Sequence, residues 1–243
     1  MKNNKILMIV VLVLIIAVGG WWYMGRGGNN TIDKDKDKIA FNTGFIMLDD
    51  EKGLTWNEAV ELSPEARVQF ENKIKEIQAD LAVAKEKEQL LADYNNLAIY
   101  QKYLGNYREA YAAYLESLSL ESQARVTWQN LADVLLKMKA VKSAEMAYRK
   151  AVELNKHIPE SYVKLADYYQ AMADGAKVEA TYKLAIETIK DSLESDTLVL
   201  NGYADWLIEE KRYQDAIKIL EQLIVKQPGN KEAIERKIEG LKK

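Results

Sequence analysis

Three carboxylates recur at a fixed phase: Asp133 and Asp167 are 34 residues apart, and Asp205 follows 38 residues later. The first two close the same tripeptide, Leu131-Ala132-Asp133 and Leu165-Ala166-Asp167. Carboxylates can work as a general acid and base, hold a hard cation, or recognise a basic ligand. Acid and base catalysis on a nucleophile finds little support, because the single His157 lies in the loop-like stretch NKHIPES and there is no Cys. No Gly-rich phosphate loop and no His-based metal motif is present. Asp33, Asp35 and Asp37 imitate the opening ligands of a calcium loop, but Lys38 stands where a sharp turn needs Gly, and Gly44 where a bidentate Glu is required. They are expected to form a charged spacer. No metal and no cofactor is expected, and the chain is not expected to be an enzyme. A carboxylate-dependent hydrolase stays open as a third alternative, since nothing singles out one acidic pair. The remaining chemistry is recognition, which requires elements that hold side chains in line.

Composition says what those elements are. The chain of 243 residues is 48% apolar, enough for a substantial core, and has only three Pro and 12 Gly. Abundant Ala, Leu, Glu, Lys and Tyr with few breakers favour helix over sheet. The 34 basic and 37 acidic residues are dispersed and nearly cancel, so no basic face of the kind that neutralises phosphates is implied and nucleic acid is not an expected partner. The lack of Cys is compatible with either redox compartment.

Self-similarity at a period between about 20 and 50 residues is the mark of stacked repeats. One unit reads Trp128-x2-Leu131-Ala132-x2-Leu135, then Ala144-x3-Tyr148-x2-Ala151. Thirty-four residues earlier stand Tyr94, Leu97, Ala98, Gly105, Tyr107, Ala110, Tyr114 and Leu118. The same interval forward gives Tyr162, Leu165, Ala166, Tyr169, Tyr182 and Ala185, with Val178 in place of the packing Ala. A shift of 38 gives Leu200, Tyr203, Ala204, Leu207, Tyr213, Ala216, Leu220 and Pro228, and the four extra residues fit within Ile189 to Thr197. The pattern resembles the tetratricopeptide repeat, Trp-x2-Leu-Gly-x2-Tyr, then Ala-x3-Phe and Pro over 34 residues. The resemblance implies an all-α fold, a right-handed superhelix of helix pairs. Four units are expected at 91–124, 125–158, 159–196 and 197–230, with a polar capping helix at 231–243. Ala98, Ala132, Ala166 and Ala204 fall where a larger side chain would force paired helices apart. The periodic aromatics Tyr94, Trp128 and Tyr162 are expected to be core wedges.

Ahead of the units, a helical region is expected over 54–90. Ser63-Pro64 makes a good helix entry, and Phe70, Ile74, Ile77, Leu81 and Ala84 follow at alternating spacings of four and three. Ile39 to Gly53 is too apolar for a free linker, has no clear period, and is expected to dock on the domain. Residues 1–5 form a short basic tail and 26–53 a linker. Between them, residues 6–25 are twenty uncharged residues, the length a helix needs to cross a bilayer core. Trp21, Trp22 and Tyr23 at the end of the run read as the aromatic belt of a retained signal-anchor. The alternative is cleavage near Ala17-Val18-Gly19, which would release a soluble envelope protein. A tiny basic tail before a large C-terminal domain suggests that the bulk lies outside the cytoplasm.

In tetratricopeptide proteins the first helix of each pair lines a concave face, where partners lie as extended peptides or helices. The resemblance therefore implies a protein or peptide partner against Asn95 and Ile99, then Gln129, Asp133 and Lys137, then Asp167 and Gln170, then Asn201, Asp205 and Glu209. Lys102, Tyr103 and Leu136 fall on the same lining. Helices stacked ~8 to 10 Å apart would set the three aspartates in a ladder. An extended partner advancing ~3.3 Å per residue could address it with a basic residue at every third position. The competing expectation is local pairing, Asp133 with Lys137 and Asp167 with Lys164, on a wet helix face. Asp205 has no such local partner and has Glu209 beside it. A clamp for acidic C-termini is not expected, because Asn95, Gln129 and the aspartates occupy the lining. The overall expectation is a membrane-anchored scaffold for assembling or organising a cell-envelope complex.

Overall fold

The computed structural model describes residues 45–83, 86–189 and 195–242. The expected membrane span at 6–25, the aspartates of the spacer, Ala84 and residues 190–194 of the connection lie outside them. The chain divides into two compact units, Met1–Met47 and Leu48–Lys243. Of the first, only residues 45–47 are described, and they carry no regular secondary structure.

The second unit is all-α. Among the described residues it contains α1 (Pro64–Leu81), α2 (Lys87–Tyr103), α3 (Tyr107–Leu120), α4 (Arg125–Lys137) and α5 (Val141–Leu154). After these come α6 (Pro159–Ala171), α7 (Gly175–Ile189), α8 (Ser195–Glu209), α9 (Tyr213–Lys226) and α10 (Lys231–Leu241). Helices α2/α3, α4/α5, α6/α7 and α8/α9 pack as successive hairpins, α1 packs on α2, and α10 packs on α9. Among the described residues no helix is long and apolar enough to cross a membrane.

Four turns with one geometry create the hairpins. Gly105, Lys139, Ala173 and Lys211 all have positive φ, between 55° and 79°, and each follows the first helix of its pair. In the first turn Asn106 N–H reaches Gln101 O at 2.9 Å and Gly105 N–H reaches Lys102 O at 3.0 Å. The same two bonds recur from Ala140 and Lys139, from Asp174 and Ala173, and from Arg212 and Lys211. This is the Schellman arrangement, which satisfies carbonyls that the helix end leaves open. Only the first turn uses Gly, so the other three accept a left-handed residue bearing a Cβ.

Burial follows the repeat. Ala98, Ala132, Ala166 and Ala204 are each 0% exposed, and Trp128 and Tyr162 are buried, while Tyr94 is half-buried. Because Ala132 is fully buried at the hairpin interface, Ala132→Leu is expected to overpack the α4/α5 hairpin and to cost about 1 to 3 kcal/mol in thermal or urea denaturation. A variant as stable as wild type would mean the site has room the structure does not show.

Polar groups tie one hairpin to the next. Asn95 on α2 donates to Ser117 Oγ on α3 at 2.7 Å and accepts from Thr127 Oγ1 on α4 at 3.0 Å. Between the third and fourth hairpins, Glu179 receives two guanidinium N–H bonds from Arg212, at 2.7 and 3.3 Å, and the Lys183 ammonium at 2.7 Å. The hydrogen bonds from Arg212 and Lys183 hold the Glu179 carboxyl at about 2, well below the usual carboxylate range. Since the folded value lies below the unfolded one, this contribution is fully present above pH ~4.5 and is lost as pH falls toward 2. Glu179→Gln is therefore expected to flatten the stability profile between those limits, read by chemical denaturation at stepped pH.

Ser63 caps α1, its Oγ accepting from Ala66 N–H at 3.2 Å with Pro64 in the first turn. Phe70 of α1 lies against Tyr100 and Tyr103 of α2, with ring centroids 5.8 and 5.4 Å apart. Residues 48–62, which precede α1, have no regular structure beyond the short helical turn Glu51–Gly53, flanked by extended Asp50 and Leu54, and contribute no fully buried side chain. This strap nonetheless crosses the first two hairpin turns. Thr55 N–H donates to Met138 O at 2.8 Å, Glu58 N–H to Gly105 O at 2.9 Å, and Arg108 N–H to Trp56 O at 3.0 Å.

Candidate peptide-binding groove

The first helices of hairpins one to three, the strap and Phe70 enclose an open groove of about 990 Å³. Three devices position its walls. Helices α2, α4 and α6 present Lys102 and Tyr103, then Asp133, Leu136 and Lys137, then Lys164, Asp167 and Tyr168. The hairpin turns bring in Lys139, and the second helices reach over with Tyr107 and Tyr148. The strap supplies the remaining wall, residues 58–62, held there by its bond to Gly105 and by Arg67 donating to Val60 O at 3.1 Å.

The lining is amphipathic. Tyr103 is 47% exposed, and Leu136 is half-buried beside the exposed Lys137. Tyr107 donates its hydroxyl to Glu58, and burial, reinforced by that bond, pushes its phenol up to about 12. Tyr148 donates to Asp133, and burial with the Asp133 charge drives its phenol still higher. Both phenols stay neutral donors throughout the physiological range.

The aspartate ladder is altered by partners that sequence proximity does not reveal. Asp133 accepts from Tyr148 and lies 3.9 Å from the Lys164 ammonium, which comes from the next hairpin; Lys137, four residues away, makes no ion pair with it among the described residues. Burial raises the Asp167 carboxyl above its ordinary range, the Asp133 charge adds to this, and Lys164 opposes it. Two carboxylates thus share one lysine. Asp205, which has no local partner on its own helix, is paired with Lys237 of α10 at 2.5 Å. That leaves no three-rung ladder of free charges.

The other expected lining positions divide. Gln170 and Glu209 bond to each other at 2.6 Å, outside the groove. Asn95 is turned inward to Leu91 O, Ser117 and Thr127, and Asn201 donates to Thr197 O at 2.8 Å within its own helix. Gln129 accepts from Arg125, which also donates to Ser161. Ile99 is half-buried and is not part of the groove lining. Of the ten positions, Asp133, Lys137 and Asp167 face the groove. The strap wall and Lys139 were not anticipated, and Lys164 was expected only as a local partner of Asp167. Of the first two, only Lys139 had a sequence signal, its equivalence to the turn residue Gly105.

Residues 127–157 match the tetratricopeptide repeat family. Among solved structures, the chain is similar to the nearly identical TPR-like repeats of a candidate kinesin light chain from Podosopora anserina, at 15% identity and a TM-score of 0.54, covering 69% of this chain and 89% of that one. It is also similar to BtubC from P. vanneervenii, at 13% identity and a TM-score of 0.54, covering 74% and 84% of the two chains. At these identities the likeness concerns the fold, a TPR-like helical solenoid. No curated protein matches the sequence.

Proposed function

We propose that this protein is a scaffold for protein–protein interaction, and that the groove between the strap and the first helices receives an extended segment of its partner. One observation carries the proposal: an open groove of about 990 Å³ exposes aromatic and aliphatic surface among polar groups of both signs. Exposed aromatics with few side-chain torsions are favourable anchors for such a segment. Because Asp133 and Asp167 share Lys164, the groove selects by shape and aromatic contact more than by a basic ligand. A membrane anchor at residues 6–25 would hold the scaffold at a bilayer surface, where organising an envelope complex is the matching role.

The test is partner capture by crosslinking from detergent-solubilised membranes, comparing wild type with Leu136→Glu. At least a tenfold loss of the captured protein, with an unchanged melting temperature, is the expected result; equal capture would place the partner on another surface. Carbonate extraction of the same membranes tests the anchor, since a retained span stays in the pellet and a cleaved product is released.

A further inference from the structure

The strap is bound as a ligand would be bound. It contributes no buried side chain, and its partners on the first two hairpins lie between 47 (Glu58 to Gly105) and 95 (Leu48 to Ser143) residues away. Asn106 and Ala140 are the N-cap residues of α3 and α5, neither makes a capping side-chain bond, and the strap supplies both caps. At α5 the Asp49 carboxylate accepts from the N–H groups of Lys142 and Ser143 at 3.2 and 2.9 Å and from Ser143 Oγ at 2.6 Å. At α3 the carbonyl of Trp56 accepts from Arg108 N–H. A carboxylate at an uncapped helix N-terminus meets open N–H donors and the positive end of the helix dipole. Between the caps, the Trp56 ring lies 4.0 Å from the Arg108 guanidinium and stands edge-on to Tyr111, with centroids 6.3 Å apart. Cation–π and edge contacts of this kind are how extended peptides are anchored by one aromatic residue.

We propose that the turn edge of the first two hairpins is a second peptide-docking track, adjoining the groove whose wall its occupant completes, and occupied here in cis. Its recognition chemistry is written in its occupant: an extended segment with an acidic residue seven positions before a tryptophan and a second acid two positions after it, as in Asp49, Trp56 and Glu58. The partner that fits carries the same pattern and takes the track when the strap lifts. Tethering gives the cis segment an effective concentration in the millimolar range, so it excludes a weaker external peptide until it is released. The inference does not rest on the groove being a binding site.

The probe is a fluorescein-labelled peptide of residues 48–60, titrated by fluorescence anisotropy into full-length wild type and into full-length Asp49→Ala/Trp56→Ala. Saturable binding to the strap-weakened variant, at least tenfold weaker binding to wild type, and loss of binding when the peptide's tryptophan is replaced by alanine are expected. A variant that keeps wild-type helical circular dichroism yet fails to bind the peptide overturns the proposal. So does binding that ignores both the variant and the tryptophan. If the variant does not fold, hydrogen exchange of wild type decides. Amides of Thr55 and Glu58 exchanging at least tenfold faster than those of α4 support a detachable strap, and exchange only through global unfolding overturns it. Peptide binding accompanied by a concentration-dependent dimer of the variant would identify the strap of a second copy as the partner segment.

Discussion

Lys226→Met is expected to cost about 3 to 5 kcal/mol, the effect of removing one member of a buried ion pair. Lys226 on α9 pairs with Asp196 in the first turn of α8, where the Asp196 side chain is 7% exposed and that of Lys226 28%. The second carboxylate oxygen, Oδ1, is buried with no hydrogen-bond partner among the described residues, so the lysine and the N-terminal end of α8 carry most of the compensation for burying the charge. Methionine keeps the packing of the alkyl chain and removes only the ammonium, which isolates the electrostatic loss. The double variant Asp196→Asn/Lys226→Met is expected to recover most of the loss, because no uncompensated charge remains. The exposed pair Asp205 with Lys237 supplies the contrast: at 59% and 40% exposure it is screened by water, and Lys237→Met is expected to change stability by less than about 1 kcal/mol. Urea denaturation of the four proteins measures all these values.

Gly105→Ala is the second large effect. The turn holds Gly105 at φ 79°, where a side chain costs about 1 to 2 kcal/mol. That cost alone is tolerated elsewhere, since Ala173 occupies the equivalent turn of the third hairpin at φ 55°. What differs at 105 is the strap: a Cβ there would stand 2.0 Å from the Glu58 carbonyl oxygen and 2.9 Å from Val60 Cγ2. Backbone cannot yield as a side-chain tip can, so the strap must leave the turn. Its bonds at Gly105 O and to Arg108 N–H go with it, each worth about 1 kcal/mol. The expected result is a destabilised protein with newly fast amide exchange at Glu58 and helices that stay protected. Loss of stability with the strap still protected would show that the turn, and not the strap, bears the strain.

These two sites also mark the limit of what the sequence makes legible. Helix pairing is readable because its cause is periodic: one small residue per unit must sit at the hairpin interface, and Ala98, Ala132, Ala166 and Ala204 are all fully buried. The turn residue is readable at Gly105, whose composition announces a left-handed conformation, and at Lys139 and Lys211 only through their equivalence to Gly105 in the repeat, since residue type gives no sign of it there. Charge pairing is set by geometry between units. Lys164 approaches Asp133 from the next hairpin and Lys237 reaches Asp205 from the final helix, so scanning three or four residues along one helix finds neither. The strap is the least legible part. An extended segment that docks through its own backbone and one aromatic ring leaves no repeating pattern, and its partners lie many tens of residues away.

The most direct test of the groove as a partner site is photocrosslinking from single positions in cells. A benzoylphenylalanine at Leu136, in the groove, is compared with one at Arg149, whose side chain on α5 is 62% exposed and does not line the groove. A discrete protein adduct at Leu136 that is absent at Arg149 is the predicted result; adducts at Arg149 with none at Leu136 would contradict a groove-directed scaffold.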